Sequence, residues 1–305
     1  MARRGEARSD KHGDQRLDVR KTYKLYIGGA FPRSESGHSY VVEDSRGKFL
    51  ANAALASRKD ARDAVVAARS AVAGWAGRTA YNRAQVLYRV AEIMEDRRPQ
   101  FVEAVRQSEG LQAARADAVV DSAVDRLVWY AGWADKLTQV VGNANPVAGP
   151  YFNLSTPEPT GVVAVLAPEE SSLLGLISVV APVVVSGNTA VVLSSYSRPL
   201  PAVTFAEVLA TSDVPGGVVN LLTGDPTVTA PWLASHMDVN AIDLAGLAGH
   251  ADRASLAVSL EEAAADNLKR VRRAPETVPD WTADPGLEPM TAFLEIKTVW
   301  HPIGV

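Results

Sequence analysis

Gly161-Val162-Val163-Ala164-Val165-Leu166-Ala167 and Thr189-Ala190-Val191-Val192-Leu193 decide how this chain folds. A strand with one wet face alternates apolar and polar side chains; a strand covered on both faces does not. Both runs are apolar almost throughout and short enough for strands. Between them lies a longer apolar stretch, 172–187, of helix length. Strand, helix, strand in that order requires a crossover, so the two strands run parallel. The pattern continues with helix 199–211, strand 218–222, helix 227–236, strand 241–244 and helix 251–271. The expectation is an α/β fold: a parallel sheet with helices on both faces.

Toward the N-terminus the texture changes. Residues 23–56 read as short strands with Gly turns at Gly28-Gly29 and Gly37. Ser57 with Asp60 three residues on predicts a helix start. Ala64, Ala68, Ala71 and Trp75 recur at near-helical spacing behind it. Further helices are predicted over 82–107 and 113–137, the second carrying Trp129, Tyr130 and Trp133 as core residues. Gly142, Asn145-Pro146 and Gly149-Pro150 mark a hairpin over 139–157. Together, residues 22–271 form one nucleotide-fold unit that includes this hairpin. Residues 272–291, with Pro275, Pro279, Pro285 and Pro289, read as a linker. Residues 292–305 return to strand character. Leu294, Ile296, Thr298 and Trp300 share one face, and Glu295 and Lys297 the other. Residues 1–21 hold seven Lys/Arg and four Asp/Glu with few apolar side chains, a composition expected of a disordered arm. A basic arm gripping nucleic acid is disfavoured because acids are interleaved with the bases.

Composition removes several functions. A net charge of −4 gives no basic surface for nucleic acid or an anionic membrane. The apolar run 173–185 is too short to span a bilayer, which needs about 20 residues. The first 21 residues lack a signal peptide's apolar segment. The 305 residues include no cysteine, so these residues offer no disulfide, thiolate metal site or cysteine nucleophile. His12, His38, His236, His250 and His301 are scattered, with no metal-ligand spacing and no Ser–His pairing. A cytoplasmic protein without a metal is the expectation.

Several stretches, in order, resemble the aldehyde dehydrogenase superfamily. They are Tyr26-Ile27-Gly28-Gly29, the Ala-rich helix ending at Trp75, and Tyr130-Ala131-Gly132-Trp133-Ala134-Asp135-Lys136. Glu158-Pro159-Thr160-Gly161-Val162-Val163 follows, then Ala181-Pro182, Gly187-Asn188-Thr189 and Val191-Val192-Leu193. Val214-Pro215-Gly216-Gly217-Val218-Val219-Asn220 and Thr223-Gly224 complete the series. The resemblance covers about residues 23–260 and implies a Rossmann-like nucleotide domain with an oligomerisation hairpin. Phe293-Leu294-Glu295-Ile296-Lys297-Thr298-Val299-Trp300 resembles the strand that, in the family, lies beyond the catalytic domain and pairs with a neighbouring subunit. Here it follows the Pro-rich segment directly, which implies a truncated form without the catalytic domain.

The resemblance also shows where residues depart from the family. Its chemistry uses a Cys thiolate, a Glu-activated water and a nicotinamide cofactor. The family's Pro-Trp-Asn-aromatic-Pro stretch reads Pro168-Glu169-Glu170-Ser171-Ser172 here. Glu170 stands where an oxyanion-holding Asn belongs, and an ionised carboxylate has no proton to donate. The general-base Glu has no match, since Glu261-Glu262 are followed by Ala263-Ala264. Ser194 and Ser197 replace the Lys and Glu that hold the adenosine ribose. In the phosphate loop Gly246 matches, Leu247 replaces Ser, and Ala251 replaces the last Gly. Gly224 is retained. Adjacent Glu169 and Glu170 are expected to act on the dipole of the helix that follows. Losing several ribose and phosphate contacts costs powers of ten in affinity. No cofactor is therefore expected, beyond weak residual NAD binding.

The expected function is that of a noncatalytic, pseudoenzyme-like subunit. It would associate with a full-length aldehyde dehydrogenase and stabilise or regulate it, its terminal strand joining that partner's sheet. The alternatives are a module binding a nucleotide-type ligand, and an NAD-dependent aldehyde oxidoreductase.

Overall fold

The computed structural model describes residues 20–303, so most of the predicted N-terminal arm lies outside the described residues. The chain opens with β1 (Thr22–Tyr23), β2 (Ser39–Glu43) and β3 (Phe49–Ala54), which form a small sheet in the order β1-β3-β2. Helices α1 (Arg58–Ala76), α2 (Ala80–Asp96), α3 (Arg98–Glu109), α4 (Ala113–Trp133) and the short α5 (Leu137–Val141) follow. Strands β4 (Asn143–Asn145) and β5 (Tyr151–Pro159) make the hairpin. Then come β6 (Val162–Leu166), α6 (Leu174–Val185), β7 (Thr189–Leu193), α7 (Leu200–Thr211), β8 (Val219–Leu222), α8 (Pro226–Ala234) and β9 (Ala241–Asp243). The chain ends with α9 (Arg253–Ala265), β10 (Arg270–Arg272), α10 (Glu288–Thr291) and β11 (Leu294–Pro302).

Five parallel strands in the order β10-β9-β6-β7-β8 form the main sheet. Every residue of β6 and β7 is buried, as their unbroken apolar runs require. Side chains alternate between two cores. Val163, Val165, Ala190 and Val192 pack with α2, α4, α6 and α7, whereas Val162, Ala164, Leu166 and Val191 pack with α1, α8 and α9. Ser57 and Asp60 close the predicted capping box at the head of α1. At its other end the buried Trp75 donates from Nε1 to the Val184 carbonyl at 2.9 Å.

The Gly-Gly turn has a packing reason. Tyr26 exchanges backbone hydrogen bonds with Leu221, adding one antiparallel bridge to the edge of β8. Gly29 at φ +85° then passes Gly216, and a Cβ on Gly216 would come within 2.5 Å of the Gly28 carbonyl oxygen.

Five expectations are corrected. The predicted helix 82–107 is two helices, because α2 ends at Asp96, Arg97 lies between, and α3 begins at Arg98 with Pro99 in its first turn. The helix predicted over 113–137 ends at Trp133, and α5 is a separate element. The helix predicted over 251–271 ends at Ala265. Arg270–Arg272 is the fifth strand, β10, paired with β9. The Pro-rich segment predicted as a free linker is a packed strap. Arg126 donates to the Trp281 and Ala283 carbonyls at 2.9 and 2.8 Å, and Met290 and Phe293 are buried in the core.

The largest correction concerns the terminal strand. β11 runs antiparallel to the chain's own β5 over nine residue pairs, from Leu294 opposite Pro159 to Pro302 opposite Tyr151. The sheet expected from another subunit is supplied in cis, by the hairpin. Leu294 is correspondingly a core residue, 5% exposed, and not an interface residue.

Candidate functional site

The carboxyl ends of β6, β7, β8 and β9 lie at one edge of the main sheet, where α/β folds of this kind hold ligands. Pro168, Glu169, Glu170, Ser194, Ser197, Gly224, Gly246 and Leu247 follow those strand ends, and their polar groups are bonded within the chain.

Glu169, just after β6, reaches across to the turn after β7. Its carboxylate accepts from the Ser195 hydroxyl at 2.8 Å and the Tyr196 N–H at 2.6 Å. It also accepts from the Ser197 N–H at 3.1 Å and the Ser197 hydroxyl at 2.7 Å. Two backbone donors and two hydroxyls of one turn are spent on one internal carboxylate. Tyr40 closes the far side of that turn, its ring 4.7 Å from that of Tyr196 and its hydroxyl donating to the Tyr196 carbonyl at 3.1 Å. Burial, with Tyr196 and Glu169 nearby, holds the Tyr40 phenol well above its ordinary range, so it remains a donor. Ser194 is buried, and its hydroxyl turns to the Ser195 carbonyl at 3.4 Å. Ser197 thus sits at the turn as expected, but bonded inward to Glu169.

Glu170 takes a different direction. Its Oε1 accepts from Trp281 Nε1 of the strap at 3.0 Å, and its Oε2 is buried without a partner. A Cβ on Gly249 would lie 2.7 Å from that Oε2, so the carboxylate rests on the loop that follows β9. In that loop a Cβ on Gly246 would collide with the Leu166 carbonyl and the backbone of Ala167. Gly246 is therefore required for strand-to-loop packing. Leu247 is 2% exposed and belongs to the α8–α9 core. Pro168 packs over Gly175, and Gly224, at φ +153°, lies against Thr229 and the Ala56 backbone.

Neither glutamate side chain hydrogen-bonds to the start of α6. That helix end is served by Ser171 Oγ, which accepts from Gly175 N at 2.9 Å. It is also served by Glu109, whose Oε1 accepts from the Ser172 N–H and hydroxyl at 2.8 and 2.7 Å. Glu261 forms an ion pair with Arg273 at 3.3 Å.

One buried pair escaped the sequence reading. Asp243, fully buried at the end of β9, accepts from Ala245 N at 2.8 Å and from Arg272 Nη1 at 3.2 Å. Burial raises its carboxyl pKa against the opposing pull of Arg272. Arg272 also grips Glu288 at 2.8 Å, which ties β10 to α10. An acid and a base 29 residues apart, one of them on an unpredicted strand, left no local signal.

The hairpin sheet, in the order β11-β5-β4, is the second candidate. Its centre is polar and paired: Asn145 Nδ2 donates to Asn153 Oδ1 and Ser155 Oγ at 2.6 and 2.8 Å, and Ser155 and Thr298 hydroxyls meet at 2.9 Å. Around it, Tyr151, Ile296 and Trp300 are exposed on one face, the Trp300 ring edge-on to Tyr151 at 5.7 Å. Phe152, Leu154 and Val299 are exposed on the other, which the sequence reading did not identify. Trp300 is 58% exposed and Ile296 51%. Thr298 is thus committed to its own hairpin, whereas Ile296 and Trp300 are exposed on the face they share. Among the described residues no cluster of three or more His, Asp or Glu could hold a metal, and no helix is long and apolar enough to cross a membrane.

These features agree with the comparisons to known proteins. The sequence profile described as the aldehyde dehydrogenase family matches residues 31–272, most of the chain, and the protein belongs to that family. Its sequence is 31% identical over 240 residues to human cytosolic 10-formyltetrahydrofolate dehydrogenase, covering 75% of this chain and 26% of that protein. It is 30% identical over 256 residues to aldehyde dehydrogenase, cytosolic 1, of Elephantulus edwardii, covering 81% and 49%. The HpcC structure from Thermus thermophilus superposes with a TM-score of 0.77 at 26% identity, covering 83% of this chain and 48% of that one. The aldehyde dehydrogenase of Brucella melitensis biovar abortus 2308, at 20% identity and a TM-score of 0.74, shares the fold. The chain spans between a quarter and half the length of these relatives.

Proposed function

We propose that this protein is a noncatalytic aldehyde dehydrogenase-like subunit that associates with a full-length aldehyde dehydrogenase and stabilises or regulates it. The observation carrying this reading is the hairpin sheet, which exposes large apolar side chains on both faces and leaves one edge of β11 without a strand. Contiguous apolar surface with an open strand edge is characteristic of a surface that another chain covers. The β-augmentation proposed for this strand uses that second edge, because the first is taken by β5.

The state of the cleft supports the noncatalytic half of the proposal. The residues present do not fit a dinucleotide. Glu169 occupies the donors of the turn where a ribose would be held, and Glu170 puts a carboxylate over the phosphate loop. Either carboxylate would repel a pyrophosphate and would have to be displaced. No cysteine is available within these residues to attack an aldehyde.

The test is the native mass of the protein purified from its own cell, with identification of what accompanies it. A Cys-containing, full-length aldehyde dehydrogenase in fixed ratio supports the proposal. A chain that runs alone, or NADH formation by the purified chain with short aldehydes, overturns it. Ile296→Asp separates the contact from folding: the complex is lost while the circular dichroism of the subunit is unchanged.

A further inference from the structure

A cavity of about 170 Å³ lies beneath the strap, bounded by α4, α6 and the strap itself and lined by Arg126, Tyr130, Ser178, Arg272 and Trp281. Its polar groups are not fully used. The Tyr130 hydroxyl is completely buried next to the Arg126 guanidinium, close enough to feel its charge, and makes no hydrogen bond of good geometry. A buried hydroxyl left unpaired is destabilising and calls for an explanation.

Arg126 poses the same question. It is 8% exposed and donates only to neutral acceptors: the Ser178 hydroxyl at 3.2 Å and the carbonyls of Trp281 and Ala283. Among the described residues it pairs with no carboxylate. The second guanidinium of the cavity, Arg272, is neutralised by Asp243 and Glu288. The nearby Asp280 and Asp284 belong to the exposed rim. Their carboxylates are held by the strap's own turns, through Thr282 and Gly286. A buried, uncompensated guanidinium beside an unpaired phenol is an incomplete site, and an anion with two acceptor oxygens completes it.

We propose that this cavity binds a small monocarboxylate, its two oxygens accepting from Arg126 and from the Tyr130 hydroxyl and its short alkyl tail against Trp281 and the strap prolines. The cavity has room for roughly five to six waters at about 30 Å³ each, which suits an acid of a few carbons. The rim carboxylates Asp280 and Asp284 select against a dianion. The cavity adjoins the nucleotide cleft through Ala245 and Trp281, but it uses neither Glu169 nor the turn after β7 and does not depend on the partner proposal.

The experiment is calorimetric titration of the full chain with sodium acetate, propionate and butyrate, against sodium chloride and sodium sulfate at matched ionic strength. Saturable millimolar binding of the carboxylates, absent with both inorganic salts, is the expected result. Tyr130→Phe removes a hydroxyl with no internal hydrogen bond of good geometry, so it leaves thermal stability nearly unchanged while weakening the carboxylate by about tenfold. Arg126→Gln abolishes binding; because it also loosens the strap, Tyr130→Phe is the deciding variant. Equal carboxylate affinity in Tyr130→Phe, no saturable binding by the unaltered protein, or equal binding of sulfate overturns the proposal.

Discussion

At the carboxyl ends of its parallel strands this molecule turns inward; in its antiparallel hairpin sheet it turns outward. The first region is rich in donors and acceptors, and nearly all are used internally: Glu169 takes four hydrogen bonds from one turn, and Glu170 holds the strap through Trp281. The second region pairs its few polar groups at the centre and exposes Phe152, Leu154, Ile296, Val299 and Trp300 around them. The difference separates two meanings of a retained fold. A scaffold can persist while its ligand contacts are replaced by internal ones, because internal bonds stabilise it as well as ligand bonds do. Exposed apolar groups on a sheet have no such internal gain, and they are the groups that the proposed partner would cover.

The largest effect is expected where both faces of the hairpin sheet are altered at once. Phe152→Asp with Trp300→Asp should weaken association at least a hundredfold, since buried aromatics dominate interfaces. Analytical ultracentrifugation of the mixed subunits reads this, and unaltered sedimentation would remove the contrast between the regions. Glu169→Ala comes next. It strands two N–H groups and two hydroxyls and should cost about 1–3 kcal/mol, read as a fall in Tm of several degrees. If Tm is unchanged, the inward turn contributes nothing to stability. Trp281→Phe removes the donor to Glu170 while keeping an aromatic ring. A loss of about 1–2 kcal/mol is expected, with faster proteolysis of the strap than of the main sheet.

The smallest effect is a pH dependence. Arg270 binds Glu295 at 2.6 and 2.7 Å and holds its carboxyl below the ordinary glutamate value. A depressed carboxyl stabilises the folded state above its unfolded pKa of about 4.3, and that gain disappears as pH falls through the lower folded value. The pair is largely solvent-exposed, so Glu295→Gln should remove no more than about 0.5 kcal/mol at neutral pH and nothing in strong acid. Denaturant midpoints at the two pH values check the sign.

The parallel sheet was legible because a short, unbroken apolar run bounded by turns fits a doubly covered strand and little else. The capping box at Ser57 was legible because its partners are three residues apart. β10 was not legible: Arg270-Val271-Arg272 is too short and too charged to show a period, and it is a strand only because β9 offers an edge. The side chains of the cleft could be named position by position, but not the partners they meet. Glu169 meets partners 26 to 28 residues away, and Glu170 meets Trp281 111 residues away. Such pairings arise from topology, and no spacing rule anticipates them. The strap was misread because four prolines suggest a spacer, whereas the buried Met290 and Phe293 at its end anchor it.

The ladder between β5 and β11 has a mechanical consequence. Thr160 N–H, where the chain leaves β5, bonds to the carbonyl of Phe293, where it returns. Everything between them, including the whole parallel sheet, is thus a cassette inserted into a two-stranded clasp. The entropy of closing so long a loop grows only slowly with its length, so the clasp can fasten late without great cost. Pulled from its two flanks, the cassette would bear no load until the clasp unzipped, one residue pair after another from the end nearer Tyr151 and Pro302.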